Sequence, residues 1–478
     1  MTDSTPTQPQ FDPPPRNPII NRSKGTKLIV VCVLAVLMAI PALLVFGLLL
    51  ERTHRADQVA QEIGGLMGGR QTFMGPVMRI PYVVPRREII DDQGHKSTVD
   101  GAAGALIVFP ATGKVDARTK SEVRSRSLFR VPVYTSDMAF TAHFDFASVA
   151  TEAPTGAVLQ WDKAELLAGA SDSRGARSDI TAHIGAKDAI LSPAKFGQQA
   201  FTGTESYGQT TLDMFSAPVP DIGADKPVDV SVRMSFTGAQ QIALLAFAKS
   251  TQATVSGDWN TPSFGGGFLP VTRALPRDKT VAPEKGAVPL KSGFSASWSI
   301  PFIARGLPAV TDASNFASLG KSAVSVTFVE PTNPYQSVGR SLKYALLFVG
   351  LVFLTYFVFE STSKKELHPA QYILVGLAQI TFYLLLLSFA ERIGFDAAFA
   401  VAATATVLLI SGYAGLVFNS LWRFISALVA FTLLYGLIYI LMRLEDYALL
   451  VGAVSAFIVI AAVMLLTRNI NWYANRAE

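Results

Sequence analysis

Several short patterns contain the residue types of catalytic or nucleotide-binding motifs, but none has the complete spacing. Gly320-Lys321-Ser322 matches the end of a phosphate-binding loop, yet Asn315 stands where that loop requires a glycine. The Ser-x-x-Lys pair of penicillin-recognising enzymes begins at Ser192, Ser318 and Ser361, and no Lys-Thr-Gly follows. Recurrence of one incomplete motif indicates chance, so the sequence predicts no enzyme.

The histidines and the single cysteine do not have the pattern of a metal or redox centre. The five histidines lack the i, i+4 spacing that places two ligands on one helix face. His143 and Asp145 alternate along a predicted strand and could contribute to a metal site, although a solvated pair is the simpler interpretation. Cys32 lies inside an apolar run, so the polar middle of the chain has no disulfide. We expect neither cofactor nor metal.

The composition is typical of a membrane protein. Hydrophobic residues make up 50% of the 478 residues and charged residues only 16%, whereas about a quarter of a soluble domain is charged. The net charge of +5 is spread along the chain rather than gathered in one basic stripe, which argues against nucleic acid as a partner. We expect the lipid bilayer to be the main partner of the apolar segments.

The apolar residues are concentrated in two parts of the chain, 28–50 and 341–466, which flank the mostly polar segment 51–340. A membrane-spanning helix needs about 20 apolar residues. The first run is longer than the core of a signal peptide, and no small-x-small cleavage site follows it, so we predict a retained anchor. Five further spans are predicted at 342–359, 371–390, 395–416, 421–442 and 447–466.

The distribution of Lys and Arg predicts the orientation of these six spans. Positive residues precede the first span, and alternate loops of the apolar tail are net positive, which places them in the cytoplasm. Both termini, the Pro- and Thr-rich tail 1–27 and the tail 467–478, are then cytoplasmic, and the first of them is expected to be disordered. Segment 51–340 is predicted to lie in the periplasm.

The middle segment is predicted to be mainly β. Residues 105–109, 129–134, 139–146, 228–236 and 323–329 are rich in Val, Phe and Thr, often with period-two alternation. The predicted fold class is therefore a multi-pass α-helical membrane protein with a large, mainly β, sandwich-like domain inserted between helices 1 and 2. The sequence leaves open whether this domain is one unit or two.

Three local elements complete this prediction. Asp91-Asp92-Gln93-Gly94 has the composition of a hairpin turn. Residues 51–67 can extend the first membrane helix outward until Gly68-Gly69 ends it. Residues 239–249 are predicted to form a short helix.

Two polar or aromatic strings in the middle segment are candidate binding motifs with structural alternatives. Ser171-Asp172-Ser173-Arg174-Gly175 fits a turn clamped by Asp172 and Arg174, and the alternative is a partner-binding site. Residues 259–270 form an aromatic, glycine-rich segment predicted to be a loop. Its Trp259, Phe264 and Phe268 are expected either to pack on the sheet or to contact a partner or the membrane surface.

The apolar tail contains two further sets of candidate residues. Tyr335 and Gln336 precede the second span, where tyrosines are typical of the membrane interface. Gln379, near the middle of its span, must find a hydrogen-bond partner and either joins helices or lines a substrate path with Tyr383 and Tyr435. The small residues of 397–406 predict close helix packing.

A wider set of motifs extends from the first span almost to the C-terminus, and together they resemble the CreD family of bacterial inner-membrane proteins. Each motif is weak alone, and the Pro-rich tail is less typical of the family. The motifs are Gly75-Pro76, Ile80-Pro81-Tyr82, Val131-Pro132-Val133-Tyr134, 171–175, 259–270, Gly293-Phe294 with Ala296 and Trp298, Tyr335-Gln336, Lys343-Tyr344, Phe359-Glu360, His368-Pro369-Ala370-Gln371-Tyr372 and 382–388.

The resemblance implies a role in cell-envelope integrity or the envelope stress response, and it supplies no catalytic residue, ligand or cofactor. We therefore expect a non-enzymatic inner-membrane protein whose periplasmic domain contacts an envelope component or a protein partner. The alternative is a transporter or transporter subunit, although no charged residue lies near the centre of a predicted span. An envelope hydrolase would require a clustered nucleophile and base. The oligomeric state is left open.

Overall fold

The computed structural model describes residues 24–90, 96–99, 101–126, 128–202, 209–219, 222–276, 292–312, 316–330, 334–363, 365–443 and 448–468. The chain divides into two compact units. Arg55–Pro331 is the β unit, and Met1–His54 with Thr332–Glu478 is the helical unit, counting the described residues of each. The predicted turn at 91–94 and most of the tail 1–27 lie outside the described residues.

The helices coincide with the predicted apolar runs to within a few residues at most ends. The predicted helical extension after residue 50 is confirmed, because one helix continues to Leu66 and is followed by Gly68 and Gly69 at φ of +87° and +64°. The helices are α1 Lys24–Leu37, α2 Ala39–Leu66, α3 Val149–Glu152, α4 Phe302–Arg305, α5 Pro334–Lys343, α6 Ala345–Ser361, α7 Pro369–Ile393, α8 Phe395–Phe418, α9 Leu421–Arg443 and α10 Ala448–Thr467.

Within the described residues, four helical segments are long and apolar enough to cross a membrane, and a fifth is added if α5 and α6 form one span. The helices α5 and α6 are bent by 52° relative to each other at Tyr344. The continuous apolar pattern of the predicted span does not indicate this break. The sixth predicted span, 447–466, coincides with α10. The four segments are Gly25–Leu66, Pro369–Ile393, Phe395–Phe418 and Leu421–Arg443.

The β unit contains the strands that the Val-, Phe- and Thr-rich segments predict. The two predicted strands at 129–134 and 139–146 form one long strand, β6. The strands are β1 Gln71–Val84, β2 Arg87–Ile90, β3 Lys96–Val99, β4 Ala102–Val108, β5 Thr112–Arg126, β6 Phe129–Phe144, β7 Val158–Leu159, β8 Glu165–Ala170, β9 Thr181–Ile184, β10 Lys187–Ile190, β11 Ser192–Thr202, β12 Gln209–Pro218, β13 Val228–Ala239, β14 Gln241–Leu244, β15 Ser250–Gly257, β16 Pro262–Gly266, β17 Thr272–Ala274, β18 Phe294–Ile300, β19 Val310–Asp312 and β20 Val324–Phe328.

These strands form two large sheets and a small ribbon. A ten-stranded sheet has the order β11-β12-β8-β1-β14-β20-β16, with β4 and β7 also pairing with β1, and β19 with β4. An eight-stranded sheet has the order β10-β9-β13-β6-β5-β15-β18-β17, and β2 pairs with β3. Most neighbours are antiparallel, but β1–β14 and β5–β15 are parallel.

One hydrophobic core lies between the two large sheets. Phe73 of β1 and Phe236 of β13, on opposite sheets, meet edge to face with ring centroids 5.3 Å apart. Phe140 of β6 meets Phe247, in the segment between β14 and β15, in the same way at 5.6 Å. Gly75 lies at a break in the β1–β8 register, and a Cβ there would lie 2.6 Å from the Phe247 ring. The Gly75-Pro76 motif thus permits close packing of the two sheets, and the β unit has a single main core.

The predicted helix at 239–249 is wrong, because this segment contains the strand β14. β14 pairs with β1 on one side and β20 on the other, and all four of its residues are buried. A strand buried on both faces appears as a continuous apolar run, which periodicity alone does not distinguish from a buried helix.

Candidate functional site

The predicted turn at 171–175 is joined to the start of β1 by the buried side chain of Gln71. Gln71 Nε2 donates to the carbonyl of Asp172 at 2.9 Å, and its Oε1 lies 3.0 Å from Ser171 Oγ. The same amide group lies 3.4 Å from the Thr237 carbonyl at the end of β13. A Cβ on Gly175 would lie 2.6 Å from both Gln71 Nε2 and the Thr237 oxygen, so a glycine is needed here.

Asp172 and Arg174 form the side-chain clamp at the surface of this turn. Asp172 Oδ1 accepts from the backbone N–H of Arg174 at 2.9 Å, and Asp172 Oδ2 accepts from Arg174 Nη2 at 2.6 Å. The Arg174 hydrogen bond lowers the pKa of Asp172. The carboxylate also caps a short helical turn, so the motif has a structural role in this geometry.

A second carboxylate, Asp213, supports the other side of the turn. It accepts from the backbone N–H of Ser173 at 2.9 Å and from Gln198 Nε2 at 2.7 Å. Burial alone would raise the pKa of Asp213, but these hydrogen bonds outweigh it and lower the pKa. Sequence analysis missed Asp213 and Gln71, because neither belongs to a local motif.

Trp259 and its neighbours anchor the end of the last strand, β20. Trp259 Nε1 and Thr261 Oγ1 both donate to the carbonyl of Val329, at 3.0 and 2.8 Å. Beside them, Arg130 Nε lies 3.0 Å from Glu330 Oε1. Burial raises the pKa of Glu330, and the Arg130 charge opposes that shift. The Trp259 side chain therefore fixes the point where the chain leaves the sheet.

Gln240 connects β1 and β20, which are the first and last strands of the ten-stranded sheet in chain order. Arg70, one residue before β1, donates from Nε to Gln240 Oε1 at 3.2 Å. The backbone N–H of Phe328, at the end of β20, donates to the Gln240 carbonyl at 2.8 Å. Gln240 has a φ of +63°, a conformation that residues with a side chain rarely adopt. Arg70 and Gln71 lie where the chain enters the sheet, 328–330 lie where it leaves, and Gln240 contacts both.

The other aromatics of the 259–270 segment pack on the β unit. Phe264 lies on β16, so part of the predicted loop is a strand, and its ring meets Phe294 and Trp298 edge to face. The carbonyl of Phe268 accepts from Trp298 Nε1 at 3.1 Å. Both Phe264 and Phe268 are half-buried against the main core.

In the helical unit, Tyr335 takes part in a polar cluster at one end of the bundle. Its hydroxyl donates to Glu391 Oε1 at 3.0 Å, and Arg52 Nε lies 4.0 Å from the same oxygen. The Glu391 side chain is only 8% exposed. Gln336 is exposed, so the structure separates these two neighbouring candidates.

A second polar cluster lies at the opposite end of the helices and was not predicted. Glu360, the next-to-last residue of α6, is 6% exposed and forms an ion pair with Lys27 of α1. Glu360 Oε2 accepts from the Tyr372 hydroxyl at 2.7 Å, and Oε1 accepts from the backbone N–H of Leu367 at 2.8 Å. The sequence signal that could have predicted this ion pair is a Lys in the first turn of one span and a Glu at the end of another.

Gln379, Tyr383 and Tyr435 are all buried in the helical unit and lie near one another. Tyr383 and Tyr435 both meet the Phe382 ring edge to face, at 5.0 and 4.9 Å between centroids. Gln379 Nε2 lies 3.4 Å from the carbonyl of Phe348 on α6, the contact expected of an amide that joins helices.

The structure gives the candidate metal and phosphate residues other partners. His143 Nδ1 lies 2.7 Å from Asp229, whereas Asp145 accepts from the backbone N–H of Ala147. Ser322 Oγ, in the glycine-lysine-serine string, donates to the Leu319 carbonyl and is buried. Among the described residues, no three His, Cys, Asp or Glu side chains converge in a way that could hold a metal ion.

Comparison with known proteins agrees with the distribution of the motifs. The sequence model of the family described as "Inner membrane protein CreD" matches residues 23–473, nearly the whole chain. The chain belongs to this family. It is 28% identical over 447 residues to the Inner membrane protein CreD of Escherichia coli (strain K12), covering 92% of this chain and 91% of the relative. The resemblance found in the sequence is therefore confirmed, and the apolar helices are those of an inner-membrane family.

Proposed function

We propose that this CreD-family protein crosses the inner membrane six times, with both termini in the cytoplasm and the β unit in the periplasm. The positions of the helices support this topology, because α1–α2, α5–α6 and α7 to α10 coincide with the six predicted spans. The charges support it as well. Lys27, Lys365 and Arg423 lie at one end of the helices, whereas Arg392 and Arg443 at the other end are accompanied by the acidic Glu391 and Asp396.

The function that the geometry supports best is a non-enzymatic role in cell-envelope integrity. In this proposal the β unit contacts an envelope component or protein partner, and the helices receive its state. The observation that carries it is the Gln240 contact. Through this residue the strands that enter and leave the β unit are joined by hydrogen bonds, and the proposal requires this connection to couple their displacements.

The proposed topology can be tested because Cys32 is the only cysteine. In a Cys32→Ser chain, Lys226→Cys in the β unit and Arg392→Cys at the end of α7 place thiols on the proposed periplasmic side. Glu366→Cys, whose side chain is 87% exposed, places one on the cytoplasmic side. A membrane-impermeant maleimide should label the first two in intact cells and the third only after permeabilisation. The reverse pattern would refute the orientation.

The proposed role can be tested in cells that lack the gene, by dye uptake and lysis under detergent or β-lactam challenge. Arg70→Gln breaks the side-chain bond to Gln240, and Arg118→Gln is its control on an exposed strand position with 79% of the side chain accessible. The full chain and the control should restore the barrier, whereas the folded Arg70→Gln variant should not. Restoration by a chain without 52–340 would show that the β unit is accessory and would refute the proposed relay.

The same cells test transport, the alternative, through Gln379→Leu. As a packing contact, the amide contributes on the order of 0.6 kcal/mol, so its loss should leave function intact. A folded but inactive Gln379→Leu protein would favour a transport path and count against the envelope role.

A further inference from the structure

The helical unit contains a cleft of about 460 Å³ between α8 and α9. The two helices approach closely at Gly415, where an added Cβ would lie 2.9 Å from Phe424 Cβ. The cleft lies further along both helices, between this crossing and their opposite ends. Its lining includes Ala400, Ala403 and Gly436, whereas Ala398 and Ala402 of the same small-residue stretch are fully buried.

A polar cluster closes one end of this cleft. Asp396 lies in the first turn of α8, and Tyr439 and Arg443 lie at the end of α9. The Tyr439 hydroxyl donates to Asp396 Oδ1 at 3.1 Å, Arg443 Nε donates to the Tyr439 oxygen at 3.3 Å, and the guanidinium pairs with the carboxylate. Asp396 and Arg443 each keep 56% of the side chain exposed, so both charges remain available to a ligand.

The surroundings restrict what can fill such a cleft. Both helices belong to the segments that can cross a membrane, where no water is available to fill an apolar space. An apolar cleft with charges at one end has the polarity of a single lipid, with a chain and a headgroup. A carboxylate beside a guanidinium complements a headgroup that carries both an ammonium and a phosphate, whereas a purely anionic headgroup would also meet the Asp396 charge.

We propose that the α8–α9 cleft binds one phospholipid with a primary-amine headgroup. Its acyl chain lies against Ala400 and Gly436, its ammonium at Asp396 and its phosphate at Arg443. A primary ammonium can donate hydrogen bonds to a carboxylate, which a quaternary ammonium cannot. The site therefore distinguishes phosphatidylethanolamine from phosphatidylcholine and from phosphatidylglycerol.

The test uses the full-length protein in mild detergent, with each of these three lipids added and the bound lipid counted by native mass spectrometry. Ala400→Leu fills the cleft, and Ala405→Leu is its control, because both alanines are exposed on α8 and only Ala400 lines the cleft. Arg443→Gln removes the phosphate contact, with the exposed Arg392→Gln as control. Thermal unfolding verifies that each variant is folded.

We expect phosphatidylethanolamine to bind best, a loss of at least tenfold in Ala400→Leu and Arg443→Gln, and no change in the controls. Asp396→Asn should bring phosphatidylethanolamine and phosphatidylglycerol to equal occupancy. Equal binding of all three lipids to the native chain would overturn the proposal. So would unchanged binding to a folded Ala400→Leu variant, or a dimer that this substitution dissociates, which would identify a helix of a second copy as the occupant.

Discussion

In the helical unit the first apolar segment, α1 with the start of α2, is contacted near each end by an ion pair. The two ion pairs differ in how exposed their side chains are. At one end Glu360 and Lys27 are 6% and 14% exposed and form a close ion pair. At the other end Glu391 is 8% exposed, while Arg52 is 51% exposed and lies 4.0 Å away. Separating the first pair leaves both charges in apolar surroundings, whereas separating the second leaves only Glu391 there, because Arg52 can exchange it for water.

This difference indicates where the first helix can move. The Lys27 end is fixed to α6 and α7, whereas Arg52 contacts Glu391 of α7 at 4.0 Å, and Glu391 is itself bound to Tyr335 of α5. The chain continues from Arg52 along α2 into the β unit. In the proposed relay, the more exposed contact is the one on the side from which the chain enters the β unit.

The largest effect is expected from Lys27→Met, which leaves Glu360 buried without its cation. The loss in the free energy of unfolding should be on the order of 3–5 kcal/mol, measured by the loss of helical circular dichroism as SDS is added to the detergent-solubilised protein. The exposed Lys343→Met provides the control and should change the transition by under about 0.5 kcal/mol. A Lys27→Met transition that coincides with the control would show that the ion pair does not hold α1.

The sequence predicts the helices better than it predicts their contacts. The apolar runs give most helices to within a few residues, because about 20 apolar residues in lipid have no alternative to a helix. The strand β14 was missed for the opposite reason, since in the β unit an apolar run can be a helix or a central strand. Gln240, between β13 and β14, also has a positive φ that its residue type does not indicate.

The candidate sites show the same limit. The turn at 171–175 could be recognised from its own residues, but Gln71, about a hundred positions away, could not. Glu360 and Lys27 were visible only as charges at the ends of spans, and 333 residues separate them. Local motifs identify turns, whereas these contacts between distant segments depend on a fold that pairs residues from opposite sides of the inserted β unit.

The two tyrosines provide an intermediate test of the comparison. Tyr372→Phe removes a 2.7 Å hydrogen bond to Glu360, and hydrogen bonds to charged groups contribute about 1.5–3 kcal/mol. Tyr335→Phe removes a longer bond, of 3.0 Å, to Glu391, and a smaller loss of about 1 kcal/mol is expected. The same SDS titration compares them, and an equal or larger loss for Tyr335→Phe would contradict the asymmetry.

Arg52→Gln should have a smaller effect on stability than either tyrosine variant. A pair at 4.0 Å whose cation is half-exposed contributes about 0–1 kcal/mol, and added salt should reduce the difference from the native chain. Lys27→Met, in contrast, should keep its full effect at 0.5 M salt. A strongly destabilised Arg52→Gln protein at high salt would mean that this end is as tightly held as the other.

The smallest effect is expected at the surface pair of Asp172 and Arg174 in the β unit, whose side chains are 22% and 72% exposed. The folded state lowers the pKa of Asp172, so its contribution is present above the unfolded pKa of about 3.9 and is lost as pH falls through the lower folded value. Asp172→Asn should therefore reduce the stability of the β unit at pH 7 by at most about 1 kcal/mol, and by less near pH 3. Urea unfolding followed by tryptophan fluorescence at the two pH values measures this difference. If the stability lost in Asp172→Asn grew as the pH fell, the role assigned to the carboxylate would be refuted. If the loss were as large as that of Lys27→Met, buried and surface ion pairs would not differ.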